Sequence, residues 1–75
     1  MAEILGARLE SLIRERKTSQ SAIARQVGVS QPSIGRLISG ETRQTGKLLE
    51  IAQALKTSPA YLTGGTDDPT PDFQP

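Results

Sequence analysis

Apolar side chains recur along this chain at helical intervals. Leu5, Leu9, Leu12 and Ile13 fall at i, i+4, i+7 and i+8, one stripe of a helix expected from about residue 3 to 16, with Glu10 and Arg14 paired on its wet face. Ser19 then offers a hydroxyl N-cap to a short second helix that carries Ala22, Ile23, Ala24 and Val27 and stops at Gly28, a residue suited to the left-handed conformation. A third helix is expected over Gln31 to Ser39, capped by Ser30 and closed by Gly40, with Ile34, Leu37 and Ile38 on one face. Pro32 falls in its first turn, where no amide hydrogen is needed.

After a polar, turn-prone stretch from Glu41 to Gly46, the residues Leu48, Leu49, Ile51, Ala52 and Leu55 restore the helical period up to about Lys56, with Thr45 as the expected cap. Ser58 and Pro59 form a cap and first-turn pair for a final turn holding Ala60, Tyr61 and Leu62 before Gly64 and Gly65. The pattern predicts an all-α fold: a compact five-helix domain over residues 1–65, without strands. Residues 66–75 hold three prolines, three aspartates and one large apolar side chain, Phe73, which is the composition of a disordered C-terminal tail or a linker.

Composition narrows the chemistry. Seventy-five residues make one domain, and with one Phe, one Tyr and no Trp its core must come from Leu, Ile, Val and Ala. The absence of His and Cys removes nucleophile–histidine pairs, zinc-finger and iron–sulfur sites, thiol redox chemistry and disulfides. Charges at Glu3, Arg8, Glu10, Arg14 and Glu15 interrupt the first stretch, leaving no run fit for a signal peptide or membrane span, so a cytoplasmic protein is expected. The net charge of +1 divides into +4 over residues 1–63 and −3 over residues 64–75, a basic body with an acidic tail.

Residues 20–39 have the form of a helix-turn-helix. Ala24 is small where the two helices would approach most closely, Gly28 occupies the turn, and Val29, Ile34 and Leu37 would clamp the second helix onto the first. The stretch Ser19-Gln20-Ser21-Ala22-Ile23-Ala24-Arg25-Gln26-Val27-Gly28-Val29-Ser30-Gln31-Pro32-Ser33-Ile34 resembles the lambda-repressor/Cro (XRE) family of helix-turn-helix regulators. Leu48 to Leu55, with Ser58-Pro59-Ala60-Tyr61-Leu62-Thr63-Gly64-Gly65, is similar to that family's fourth and fifth helices, so the resemblance covers about residues 4–65.

The resemblance implies a transcriptional regulator, most simply a repressor of phage or prophage type, that binds a palindromic double-stranded DNA operator as a homodimer. It assigns Gln31, Pro32, Ser33 and Arg36 to base edges, and Gln20, Ser30, Thr42, Arg43 and Gln44 to phosphates. Gln31 is chemically able to pair with adenine N6 and N7, and Arg36 with guanine O6 and N7; Pro32 offers only apolar contact, as with a thymine methyl. Gly35 departs from helical preference, and closer approach to DNA is one reason for it. Residues 12–47 carry seven basic and two acidic groups, a field suited to a polyanion. Ser19 and Ser30 read as caps before contacts, and Arg14, Arg16 and Lys17 as a solvated face. Tyr61 and Leu62 read first as core closure and second as a dimer contact. The homodimer is expected to be weak away from DNA, because the chain has little spare apolar surface.

No cofactor, metal, membrane or small-molecule substrate is implied. Gly35 to Thr42 has phosphate-loop glycine spacing, but Glu41 replaces the lysine and no strand precedes it. Asp67, Asp68 and Asp72 lack the glycine and glutamate of a calcium loop. An enzyme is therefore not expected. Two other readings share the fold: a protein-interaction module of adaptor or antitoxin kind, docking through residues near Tyr61 and Phe73, and the DNA-binding head of a larger two-domain repressor.

Overall fold

Glu3, Ile4 and Leu5 do not join the first helix. In the computed structural model, which describes residues 3–70, the Ile4 amide donates to the Arg43 carbonyl at 2.7 Å and the Leu5 amide to the Leu62 carbonyl at 2.7 Å. Ile4 is buried, so this extended segment is fixed to two distant parts of the chain before helix geometry begins at Gly6. Five helices follow among the described residues, with no strand: α1 (Gly6–Glu15), α2 (Gln20–Val27), α3 (Gln31–Ser39), α4 (Leu48–Ala54) and α5 (Pro59–Thr63).

The apolar stripes converge, with two exceptions: Leu5 and Leu49, expected on the stripes of the first and fourth helices, are exposed, Leu5 because it caps α1 from the extended segment in which Ile4 takes the buried place. Leu9 and Leu12 of α1, Ile23 of α2, Ile34 of α3, Ile51 of α4, Leu55 and Leu62 are essentially inaccessible to solvent. Burying each such side chain is worth about 1.5–3 kcal/mol, which is the main source of stability for helices this short. Ala24 of α2 and Ile13 of α1 are buried in the same cluster, and Ile38 of α3 packs against it half-buried. Gly6 allows the tightest approach: a Cβ there would lie 2.6 Å from the Leu37 carbonyl oxygen and nearer still to that of Ile38. Only a residue without a side chain lets α1 start against the end of α3.

Caps fix the helix boundaries. The hydroxyls of Ser19, Ser30 and Ser58 accept the amides of Ala22, Ser33 and Tyr61, each satisfying one otherwise free first-turn donor. Gly28 stops α2 at φ +86°, and Gly40 and Gly64 stop α3 and α5 the same way. α4 corrects the expected cap. Its N-cap is Lys47, with no side-chain cap, and the Thr45 hydroxyl instead accepts the Lys47 amide at 3.1 Å, one step upstream. α4 also ends at Ala54, short of Lys56, which turns left-handed at φ 55°.

Arg16 is not part of a merely solvated face. Its Nε donates to the Leu55 carbonyl at 2.8 Å and its terminal nitrogen to the Lys56 carbonyl at 3.3 Å, so the end of α1 supplies donors and positive charge to the end of α4. Arg14 does lie on the wet face, 3.6 Å from Glu10.

Residues 66–70 are irregular but tied down: Arg8 donates to the carbonyls of Tyr61 and Thr66 and to the Asp67 carboxylate, with its guanidinium 4.4 Å above the Tyr61 ring centre. The fully buried Thr57 donates its hydroxyl to the Pro69 carbonyl at 2.7 Å. Hydrogen bonds from the Thr70 hydroxyl and amide hold the Asp68 carboxyl below its ordinary range. Asp72 and Phe73 lie outside the described residues.

Two substitutions test this packing by denaturant unfolding. Gly6→Ala is expected to cost about 1–3 kcal/mol, because the new methyl group must displace backbone. Thr57→Val is expected to cost about 1 kcal/mol through loss of the bond to Pro69.

Candidate nucleic-acid interface

α3 is clamped on one side and bare on the other. Ile34 and Leu37 point into the core, while Gln31, Pro32, Arg36 and Ser39 are exposed on the opposite face. The turn that sets this orientation is short: the amides of Gly28 and Val29 both return to the Ala24 carbonyl, at 2.8 and 2.9 Å, before Ser30 caps α3. Ala24, Gly28, Val29, Ile34 and Leu37 thus occupy the expected motif places, with Val29 half-buried against the core.

The N-termini of α2 and α3 come together. Gln31 Nε2 lies 3.5 Å from Gln20 Oε1, a long hydrogen bond that orients both amides while leaving their remaining donors and acceptors available. This pairing is absent from the sequence pattern; its only trace is a glutamine at the first position of each helix. Gly35 faces the same Gln20. A Cβ at residue 35 would meet only Gln20 Oε1, at an ordinary 3.4 Å, so packing within the protein does not require glycine there.

Not every candidate hydroxyl is free. Ser30 accepts the Ser33 amide, and the two hydroxyls are 2.8 Å apart, so each meets another group only with the donor or acceptor capacity left over. Arg36 makes no ion pair among the described residues, and its carbonyl accepts the Thr42 amide at 3.1 Å, tying the following loop to the end of α3. Thr42, Arg43 and Gln44 are all exposed on that loop. A cleft of about 250 Å³ separates loop from helix and is lined in part by Ser33, Arg36, Thr42 and Gln44. Arg43 also has an acidic neighbour, Glu3, at 3.9 Å.

The electrostatics favour an anion on this side. From Arg16 to Gly40 there are four basic residues and no acidic one, so neither α2 nor α3 carries a negative side chain. The Gln20 and Ser21 amides precede the first amide that Ser19 caps, and they add the partial positive charge of a helix N-terminus. Leu62 is corrected as a dimer contact. It is fully buried and offers no surface, whereas Tyr61 is half-buried beneath Arg8.

Comparison with known proteins agrees with this geometry. A model of the family described as Helix-turn-helix matches residues 9–62. The chain is 43% identical over 63 residues to the HTH-type transcriptional regulator PrtR of Pseudomonas aeruginosa, covering 84% of this chain and 25% of that protein. It is 34% identical over 64 residues to Repressor protein C2 of Salmonella phage P22, covering 84% and 30%. A third relative, the HTH-type transcriptional regulator for conjugative element SXT of Vibrio cholerae, is 31% identical over 61 residues, covering 81% and 28%. The chain therefore spans about a quarter to a third of the length of these curated relatives.

Solved structures give the same fold. The crystal structure of the P22 c2 repressor in complex with a synthetic operator superposes with a TM-score of 0.77 at 34% identity, covering 84% of this chain and 97% of that one. The solution structure of the P22 c2 repressor's DNA-binding domain gives 0.72 at 33% identity, with 83% of each chain covered. Among the described residues no helix is long and apolar enough to cross a membrane.

Because nothing inside the protein needs residue 35 to be glycine, Gly35→Ala is expected to raise stability by about 1 kcal/mol, measured by thermal or denaturant unfolding.

Proposed function

The chain belongs to the helix-turn-helix family of the lambda-repressor type, and on that premise we propose that it binds a specific, approximately palindromic operator in double-stranded DNA and represses transcription by occupying it. One observation carries the reading above the others. α3 is fixed to the core through Ile34 and Leu37 while its opposite face carries an exposed amide, an exposed proline and an arginine that makes no ion pair among the described residues, and neither α2 nor α3 carries an acidic side chain.

In this reading α3 enters the major groove. Gln31 and Arg36 read base edges, Pro32 packs on a thymine methyl, and Ser33 contributes what its bond to Ser30 leaves over. Gln20, with the first amides of α2, holds a phosphate on one side, and Thr42, Arg43 and Gln44 hold the backbone on the other, with Ser30 acting as a cap before it acts as a contact. The protein acts as a homodimer on DNA, with two α3 helices about 34 Å apart in successive major grooves and Tyr61 near the shared surface. Folded domain and tail meet near residue 65, residues 66–70 lie against the domain, and the protein works in the cytoplasm without a cofactor. The chemistry is recognition, without an enzymatic step.

Selection from a random duplex pool, followed by sequencing, tests the proposal. A two-fold site with half-sites one helical turn apart is expected; no enrichment by a folded protein favours the adaptor reading. On the selected site, Arg36→Ala is expected to cost about 1–3 kcal/mol and relax preference at one base position, while Arg43→Ala weakens all duplexes alike and flattens the salt dependence. Sedimentation without DNA is expected to show mostly monomer.

A further inference from the structure

The segment that precedes α1 binds the Arg43 backbone and sets an acid beside its side chain. The Ile4 amide donates to the Arg43 carbonyl at 2.7 Å, and the Ile4 side chain is anchored in the core. The neighbouring Glu3 sets its carboxylate 3.9 Å from the Arg43 guanidinium. The two side chains are 54% and 66% exposed, a setting in which an ion pair adds little to folding. Stability therefore does not account for an acid at this place. Its charge acts on whatever approaches Arg43, and a phosphate has the same sign as the carboxylate.

We propose that Glu3 is a brake on backbone binding: its carboxylate lies beside the Arg43 guanidinium in the free protein and must give way to a DNA phosphate. This rests on the reading of residues 42–44 as a loop that meets the DNA backbone. The buried Ile4 keeps Glu3 beside the loop, so the carboxylate and an incoming phosphate compete for the same guanidinium. The brake acts on charge alone and weakens all sequences equally. It sets how tightly the protein holds DNA in general and leaves its choice of bases unchanged.

The experiment is fluorescence anisotropy with a labelled duplex of random sequence across a salt series, comparing wild type, Glu3→Gln, Arg43→Ala and the double variant. Glu3→Gln is expected to bind about fivefold tighter at low salt. Its log–log salt slope should steepen by up to about 0.9, the contribution of one phosphate freed of competition. The double variant should bind like Arg43→Ala alone, and the melting temperature of Glu3→Gln should match wild type. Unchanged or weaker binding by Glu3→Gln overturns the proposal, as does full tightening that persists in the Arg43→Ala background, which would make Glu3 a remote charge. A wild type that binds no duplex overturns this role together with the DNA reading; normal wild-type binding with an indifferent Glu3→Gln overturns this role alone.

Discussion

α3 is held close by residues too small to keep it away. A short helix capped by one serine has little stability of its own, so its position depends on packing against neighbours. Gly6 lets the start of α1 reach the carbonyls at the end of α3, and Ala24 lets α2 lie against the other side. Between these contacts Ile34 and Leu37 become fully enclosed, which fixes the rotation of the helix and hence the direction of Gln31, Pro32 and Arg36. Adding bulk at the clamped face would turn the outward face as well. The direction of the exposed face is thus a consequence of packing on the far side of the same helix.

The rest of the molecule uses its polar groups to secure ends. Arg16 closes the end of α4, Arg8 gathers Tyr61, Thr66 and Asp67, and Thr57 holds Pro69. Among the described residues no buried side-chain polar atom is left without a partner. By contrast, Gln31 and Arg36 on the outward face of α3 are nearly uncommitted among the described residues: Gln31 makes one long bond and Arg36 makes no ion pair. Side chains engaged in the fold would have to break those bonds before meeting any ligand, and these have little to break.

What the sequence made legible was what acts locally. Ser19, Gly28, Ser30, Pro32 and Gly40 mark the limits of α2 and α3 through effects that reach no more than a few residues, and the observed boundaries match. The exposed face of α3 follows from the same periodicity. What stayed hidden depends on partners far along the chain. The extended Glu3–Leu5 segment continues the apolar spacing of α1 and departs from helix because Arg43 and Leu62 accept its amides. Gly6 reads as an ordinary helix-start residue until α3 is placed against it. Arg16 and Arg8 look like surface charge until the carbonyls they meet are known. The Gln20–Gln31 and Glu3–Arg43 pairs likewise need the fold before they can be seen.

The surface proposed to meet DNA is the bare face of α3, with the first turn of α2 and the loop after α3. The most direct measurement is an amide NMR titration of the labelled protein with duplex DNA. Changes are expected to concentrate at Gln20, Ser21, Gln31, Ser33, Gly35, Arg36 and Thr42 to Gln44, while Gln53 on α4 and the Thr66–Asp68 segment stay unmoved. Changes centred on α4 or on the segment docked at Arg8, with α3 silent at saturating DNA, would contradict it.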